Sequence, residues 1–260
     1  MERDLRVVIA GFGPFPGAPS NPSGRLATAL ARRRRPAFAD IEITSHVFTT
    51  AYAAVDRDLA KLLAQNPDVL LIFGLAGRRR HICIETRARN ARSILFPDAN
   101  GYSPERAAIE RGQTRSRTGN APFHQLLNVV RRNKLPARLS RDAGVYLCNY
   151  AYWRALQHVR GRHPLVQFVH IPWVHAAPRR GTFKRRLPTL SRLVAASENL
   201  LIALLTASRR LRQQATEARR LSGSARSRSR SNCAGSAARS ARAPRARSPR
   251  AAETGRSPPP

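Results

Sequence analysis

A three-layer α/β/α sandwich with a mainly parallel central sheet is the fold this 260-residue sequence predicts. Two observations carry that expectation. Short unbroken apolar runs such as Val69–Phe73 have the length of strands covered on both faces, the pattern of a parallel sheet flanked by helices. Between them lie segments with apolar residues at helical spacing, so strands and helices alternate along the chain. Forty-two per cent of residues are apolar and 6% aromatic, enough for one substantial core.

The elements follow in order. Arg6–Ala10 is an apolar strand that breaks into the loop Gly11-Phe12-Gly13-Pro14-Phe15. Asn21-Pro22 opens a helix, with Asn as the cap and Pro at the first helical position, running to about Ala31. Ile41–Phe48 alternates like a strand, and Ala51–Gln65 has helical spacing through Val55, Leu59, Leu62 and Leu63. Val69–Phe73 is a strand ending at Gly74, and His81–Arg87 is another. A long irregular stretch covers Asn90–Asn120. Pro122–Arg132 reads as helix, Ala137–Leu139 as a short strand, Tyr146–Val159 as helix and Leu165–His170 as strand. Leu187–Leu205, with Leu190, Leu193, Val194, Leu200, Leu201 and Leu204 at helical spacing, closes the domain. In such folds ligands bind beyond the carboxyl ends of the strands, which directs attention to the residues after Ala10, Phe73, Leu139 and Val169.

Charge divides the chain in two. It carries 47 Lys+Arg against 15 Asp+Glu, a formal net charge of +32. Residues 207–260 hold 14 Arg and two Glu, and Ala, Arg, Ser, Pro and Gly make up 44 of those 54 positions. With Leu211 and Leu221 as their only large aliphatics, they cannot bury enough surface to offset ordering entropy. The expected organisation is an α/β domain over 1–206 and a basic disordered tail over 207–260, helical to about Arg220. No run reaches the roughly 18 apolar residues of a membrane span. The start Met-Glu-Arg-Asp-Leu-Arg does not read as a secretory signal. Three cysteines, Cys83, Cys148 and Cys233, are too few and scattered for a disulfide framework or metal cluster. His124, His158, His163 and His175 show no metal-ligand spacing. A cytoplasmic protein is expected.

Three residues near the predicted strand ends suggest chemistry together. Cys148 lies at a helix start, where unpaired backbone N–H groups favour the nucleophilic thiolate. His170 closes a strand before Ile171-Pro172, and an imidazole beside a thiol can take its proton and pass it to a leaving group. Glu85, an acid among Arg78, Arg79, Arg80, Arg87 and Arg89, can fix the tautomer of that imidazole. Each also has a plain structural reading: a small core thiol, a satisfied core histidine, a salt-bridge partner.

The blocks Gly11-Phe12-Gly13-Pro14-Phe15 with Asn21-Pro22-Ser23, Gly74-Leu75-Ala76-Gly77-Arg78, Ile84-Glu85 with Asn90, Ala143-Gly144-Val145-Tyr146-Leu147-Cys148-Asn149 and Phe168-Val169-His170-Ile171-Pro172 add to this reading. In that order and spacing, over about residues 5–205, the chain resembles the pyroglutamyl peptidase I family of cysteine peptidases. The resemblance implies Cys148 as nucleophile, His170 as base and Glu85 as orienting acid. It implies release of an N-terminal pyroglutamyl (5-oxoproline) residue from blocked peptides through a thioester. It further implies an α/β/α sandwich, no metal or organic cofactor, a cytosolic setting and a homotetramer. Phe12 and Phe15 can supply flat walls for the small lactam or simply pack onto the core, and Asn21 is a helix cap before it is a site residue.

The departures concern substrate contacts. Members with an Ala-Arg pair ahead of Pro-Asp use that Arg to polarise the acyl oxygen, whereas Ile94-Leu95-Phe96 stands here, with Leu95 at the matching position and Arg92 as a substitute. Losing one oxyanion donor costs roughly 2.7–4 kcal/mol of barrier. Some members have Gln where Leu75 stands, and Trp173 makes the wall after Pro172 bulkier. The alternative function is an altered or inactive relative whose Arg-rich tail binds nucleic acid or another polyanion. The tail has no aromatic side chain to stack bases, which weighs against sequence-specific RNA recognition.

Overall fold

The structure is a computed structural model that describes residues 4–159, 163–175 and 187–237, with side chains described as far as residue 219. It divides into two units, Met1–Arg212 and Gln213–Pro260. Within the first, six strands form one sheet in the order β2-β1-β3-β8-β4-β7, and β5 and β6 form a separate two-stranded ribbon. The strands are β1 (Leu5–Phe12), β2 (Ile41–Phe48), β3 (Val69–Leu75), β4 (Ile82–Glu85), β5 (Arg87–Arg89), β6 (Ser116–Thr118), β7 (Ala137–Ser140) and β8 (Leu165–Ile171). The helices are α1 (Pro22–Ala31), α2 (Tyr52–Ala64), α3 (Phe123–Arg132), α4 (Leu147–Gln157) and α5 (Leu190–Ala237), with a single 3-10 turn at Pro36–Phe38.

The apolar runs are buried on both faces because successive side chains point to opposite sides. Val69, Leu71 and Phe73 enter a core with Leu26 of α1, Leu126 of α3 and Leu201 of α5. Leu70 and Ile72 enter a second core with Val55 of α2 and Trp153 of α4. Two cores separated by one sheet make the expected three-layer sandwich. Fully burying each large apolar side chain stabilises the fold by roughly 1.5–3 kcal/mol. The first turn of α1 forms as its sequence predicts: the Asn21 side chain accepts from Ser23 N at 3.1 Å, and Pro22 occupies the first turn. Gly11 permits β1 to pass this turn, since a Cβ there would collide with the Ser23 carbonyl.

Sheet polarity holds one surprise. β2, β1, β3 and β8 are parallel, but β4 runs antiparallel to β8, and β7 runs parallel to β4. The carboxyl-end rule therefore fails for Leu139, whose strand points the other way; the loop after β7 nevertheless turns back so that Ala143–Tyr146 reach the site cavity. The link from β3 to β4 is too short for a crossover, which needs a dozen or more residues, so β4 starts at the edge where β3 ends.

α5 continues past the Arg220 limit expected for it, to Ala237. Its Ala- and Arg-rich composition favours helix, and the first proline of that segment is Pro244. The remainder of the expected tail, 238–260, lies outside the described residues. Leu190–Arg219 is, contrary to the expectation from apolar runs, long and apolar enough to cross a membrane, with mean hydropathy 1.4 in its best window. Leu193, Leu200, Leu201, Leu204 and Leu205 from that segment are buried in the sheet-facing core, which accounts for its apolarity.

Candidate active site

Strand parity places the acid and the imidazole. In the β4–β8 ladder Cys83 pairs with His170 and Glu85 with Phe168, so all four share one face. Phe168 belongs to the core beneath α2 and α4, whereas Ile84 and Val169 point to the opposite core. Glu85 and His170 are diagonal neighbours on this ladder, a spacing long side chains can span. His170 Nδ1 lies 2.8 Å from Glu85 Oε1, leaving Nε2 for the nucleophile.

Cys148 is the second residue of α4, on the helix that covers this face. No side chain caps the start of α4, so its first N–H groups face the site without a competing acceptor from a cap. Cys148 and His170 line the same cavity, and the two groups couple electrostatically. Gly74 of β3 makes room for the Cys148 sulfur: a Cβ at position 74 would sit 2.8 Å from Sγ and 2.7 Å from the Phe168 ring.

Electrostatics couple the three groups. Burial alone would lower the pKa of His170, but hydrogen bonds and charge from Cys148 and Glu85 outweigh it and raise the ring to about 9. Burial would raise the Glu85 carboxyl; the hydrogen bond and charge of His170, the Ser140 hydroxyl and the Arg79 charge hold it below its ordinary value. Imidazolium and carboxylate are thus the stable forms near neutrality. Glu85 also pairs with Arg79 at 3.0 Å, so the same carboxylate forms a salt bridge and hydrogen-bonds the His170 ring.

A cavity of about 280 Å³ opens beside the sulfur. Phe12, Phe15, Asn21, Leu75, Tyr146, Cys148 and His170 line it, as do Arg78 and Arg79. Phe12 is mainly a core residue, its ring 5.5 Å from Phe48 and 6.4 Å from Phe168, and it also lines the cavity. Phe15 stands 6.1 Å from the Tyr146 ring. Asn21 caps α1 and donates to Gly13 O at 3.0 Å, fixing the loop that carries both phenylalanines. Trp173 packs against Gly77, one residue from Arg78. Arg92 is not among the residues lining this cavity; its Nε donates to Arg106 O at 3.0 Å and its N–H to Ala107 O at 2.6 Å. Leu95 is 79% exposed, on a turn whose N–H groups at 95 and 96 donate to Ser93 Oγ. Cys83 is fully buried, as expected of a core thiol. Among the described residues no group of three or more His, Cys, Asp or Glu could hold a metal ion.

Several supporting residues escaped the sequence reading. Asn149 is fully buried and accepts from Arg89 N at 2.8 Å while donating to Arg89 O and Ala91 O at 2.8 and 2.7 Å. It ties the nucleophile helix to β5. Tyr152 and Gln167 both donate to the Glu85 carbonyl at 3.1 Å. Asp98, in the irregular stretch, accepts from Tyr52 N at 2.9 Å and Tyr102 N at 3.0 Å, substituting for a cap on α2. The Asn149 signal was adjacency to the nucleophile; the others depend on partners far away in sequence.

Known proteins match this arrangement. A family model described as Pyroglutamyl peptidase matches residues 5–209. The chain is 31% identical over 174 residues to a pyrrolidone-carboxylate peptidase of Thermococcus onnurineus, covering 66% of this chain and 85% of the relative. It is 33% identical over 170 residues to one of Clavibacter michiganensis, covering 64% and 78%. Among solved structures, the pyrrolidone carboxyl peptidase of Thermococcus litoralis superposes with a TM-score of 0.68 at 25% identity, over 79% of this chain and 96% of that one. That of Fervidobacterium islandicum gives 0.67 at 27% identity, over 78% and 99%.

Proposed function

This chain belongs to the pyroglutamyl peptidase family and is a cysteine-type pyroglutamyl exopeptidase; we propose that Cys148, His170 and Glu85 carry its reaction. The observation that carries the assignment is the Glu85–His170 hydrogen bond with Cys148 coupled to the same ring on the wall of one cavity.

The pyroglutamyl ring enters the cavity between Phe15, Phe12, Leu75 and Tyr146, with Asn21 holding the wall. No carboxylate is needed for an α-ammonium, because the substrate's N-terminus is a lactam. The Cys148 thiolate attacks the acyl carbon, and the first N–H groups of α4 receive the developing oxyanion. Collapse breaks the C–N bond; His170 Nε2–H supplies the proton that leaves with the amine of the shortened peptide. Water then attacks the thioester, giving its proton to His170, and collapse releases 5-oxoproline and the sulfur. Glu85 keeps the proton on Nδ1 and stabilises the imidazolium throughout.

We further read the protein as cytoplasmic and as a homotetramer, for which the exposed Ile94, Leu95, Phe96 and Tyr102 offer contact surface. Sedimentation equilibrium tests the assembly. The reaction is tested by fluorophore release from pyroglutamyl-aminomethylcoumarin with wild type, Cys148→Ala and Cys148→Ser. Release by wild type and none by either variant is expected. Full activity in Cys148→Ala abandons the assignment.

A further inference from the structure

Arg79 joins two parts of the site that are separate in sequence, the β4 acid and the stretch 140–142. It follows β3, lines the cavity, and is about one-third exposed at its side chain. Its Nη1 donates to Glu85 Oε1 at 3.0 Å and to Ser140 Oγ at 3.4 Å, and its Nη2 donates to Asp142 O at 2.8 Å. It therefore joins the orienting acid to the loop leading into the nucleophile helix. Two other arginines hold that loop: Arg87 donates to Arg141 O at 2.9 Å, and Arg89 pairs with Asp142 Oδ1 at 3.0 Å. Only Arg79 also reaches the fully buried Glu85.

The charges explain why such a contact matters. With thiolate, imidazolium and carboxylate all ionised, the three groups sum to minus one, with Glu85 and His170 buried. A lone uncompensated charge in a low-dielectric site is costly, and the groups relieve it by holding protons more tightly. The guanidinium brings the sum to zero.

We propose that Arg79 is a positioning residue that neutralises the Glu85–His170–Cys148 set and thereby fixes the pH range over which the reactive ion pair exists. This rests on the triad assignment above. Other ionisable groups face this cluster: Arg78 and the Tyr146 phenol share the cavity wall with Cys148 and His170. From β4 comes the Cys83 thiol, beside Arg79. From α4 comes the Tyr152 phenol, already committed to Glu85 O. His81 and Arg138 add positive charge at the outer edge of β4 and β7. None of them contacts both the acid and the nucleophile loop in the way Arg79 does.

The test compares wild type, Arg79→Ala, Arg79→Gln, Arg79→Lys and the exposed neighbour Arg80→Ala. Two quantities are followed from pH 5 to 10.5: kcat/KM on pyroglutamyl-aminomethylcoumarin, and the rate of Cys148 alkylation by iodoacetamide. Removing a cation raises every nearby pKa, so both limbs of each profile should move up by about one pH unit in the Ala and Gln variants. They should stay at the wild-type positions in Arg79→Lys and Arg80→Ala. Limbs that remain in place in Ala and Gln, whatever the height of the curve, overturn the proposal. So does a Lys variant displaced as far as Gln. Alkylation reads the ion pair without turnover, so a wild type that alkylates but does not hydrolyse defeats the triad's assigned reaction while the Arg79 comparison still stands. If Arg79→Ala does not fold, the near-isosteric Gln and Lys variants decide.

Discussion

His170 is squeezed between two acids, and its proton is held against the cost of burial by both. The alkaline limb of hydrolysis is therefore expected near pH 9, where the imidazolium loses the proton destined for the leaving amine. A limb near 6.5, the value of a free imidazole, would show that the buried ring is not so stabilised. Glu85→Gln keeps the shape but presents the wrong hydrogen-bond partner to Nδ1. A kcat loss on the order of 10²–10⁴-fold is expected with little change in KM. At Gly74 the issue is space. Gly74→Ala drives a methyl into the sulfur and the Phe168 ring, so kcat/KM should fall at least tenfold, with about 1–3 kcal/mol of stability lost in urea denaturation. The sequence placed Cys148 at a helix start and His170 at a strand end, where the structure has them, but it took the family resemblance to link them as a pair. The contacts of Arg92 were not legible, because they depend on the carbonyls of Arg106 and Ala107 across a loop with no periodicity.

Among the elements, α4 and β5 are joined by one amide. Asn149→Ala leaves the Arg89 N–H and two carbonyls without their partner, and each buried orphan costs about 1–3 kcal/mol. The urea midpoint should drop clearly, and hydrolysis should fall with it because the neighbouring nucleophile loses its anchor. An unchanged midpoint would mean water replaces the side chain. Apolar spacing delivered α2 and β2 nearly to the residue, and the Asn21-Pro22 cap did the same for the start of α1. Polarity of β4 and β7 was harder to see: an apolar run does not carry direction, and only the brevity of the 76–81 link hinted at it. The clamps made by Asp98 and Asn149 were invisible for a different reason, as a side chain that caps a distant helix or strand leaves no local pattern.

At the scale of the molecule, the two-sided burial of the sheet was plain from composition and alternation, while the extent of α5 was set by the absence of proline up to residue 237. Residues beyond Arg212 form their own unit. A chain ending at Arg212 is expected to keep wild-type hydrolysis and melting behaviour and to elute earlier from heparin, having lost 11 arginines against two glutamates. Loss of activity on truncation would give that segment a part in the enzyme.

The pairing of β4 with β8 has a thermal consequence. Because acid and base hang from two rungs of one hydrogen-bonded ladder, their separation is gauged by the backbone itself and cannot drift while the strands stay zipped. Heat should leave the proton relay aligned until the sheet itself parts, and the catalyst should then fail all at once.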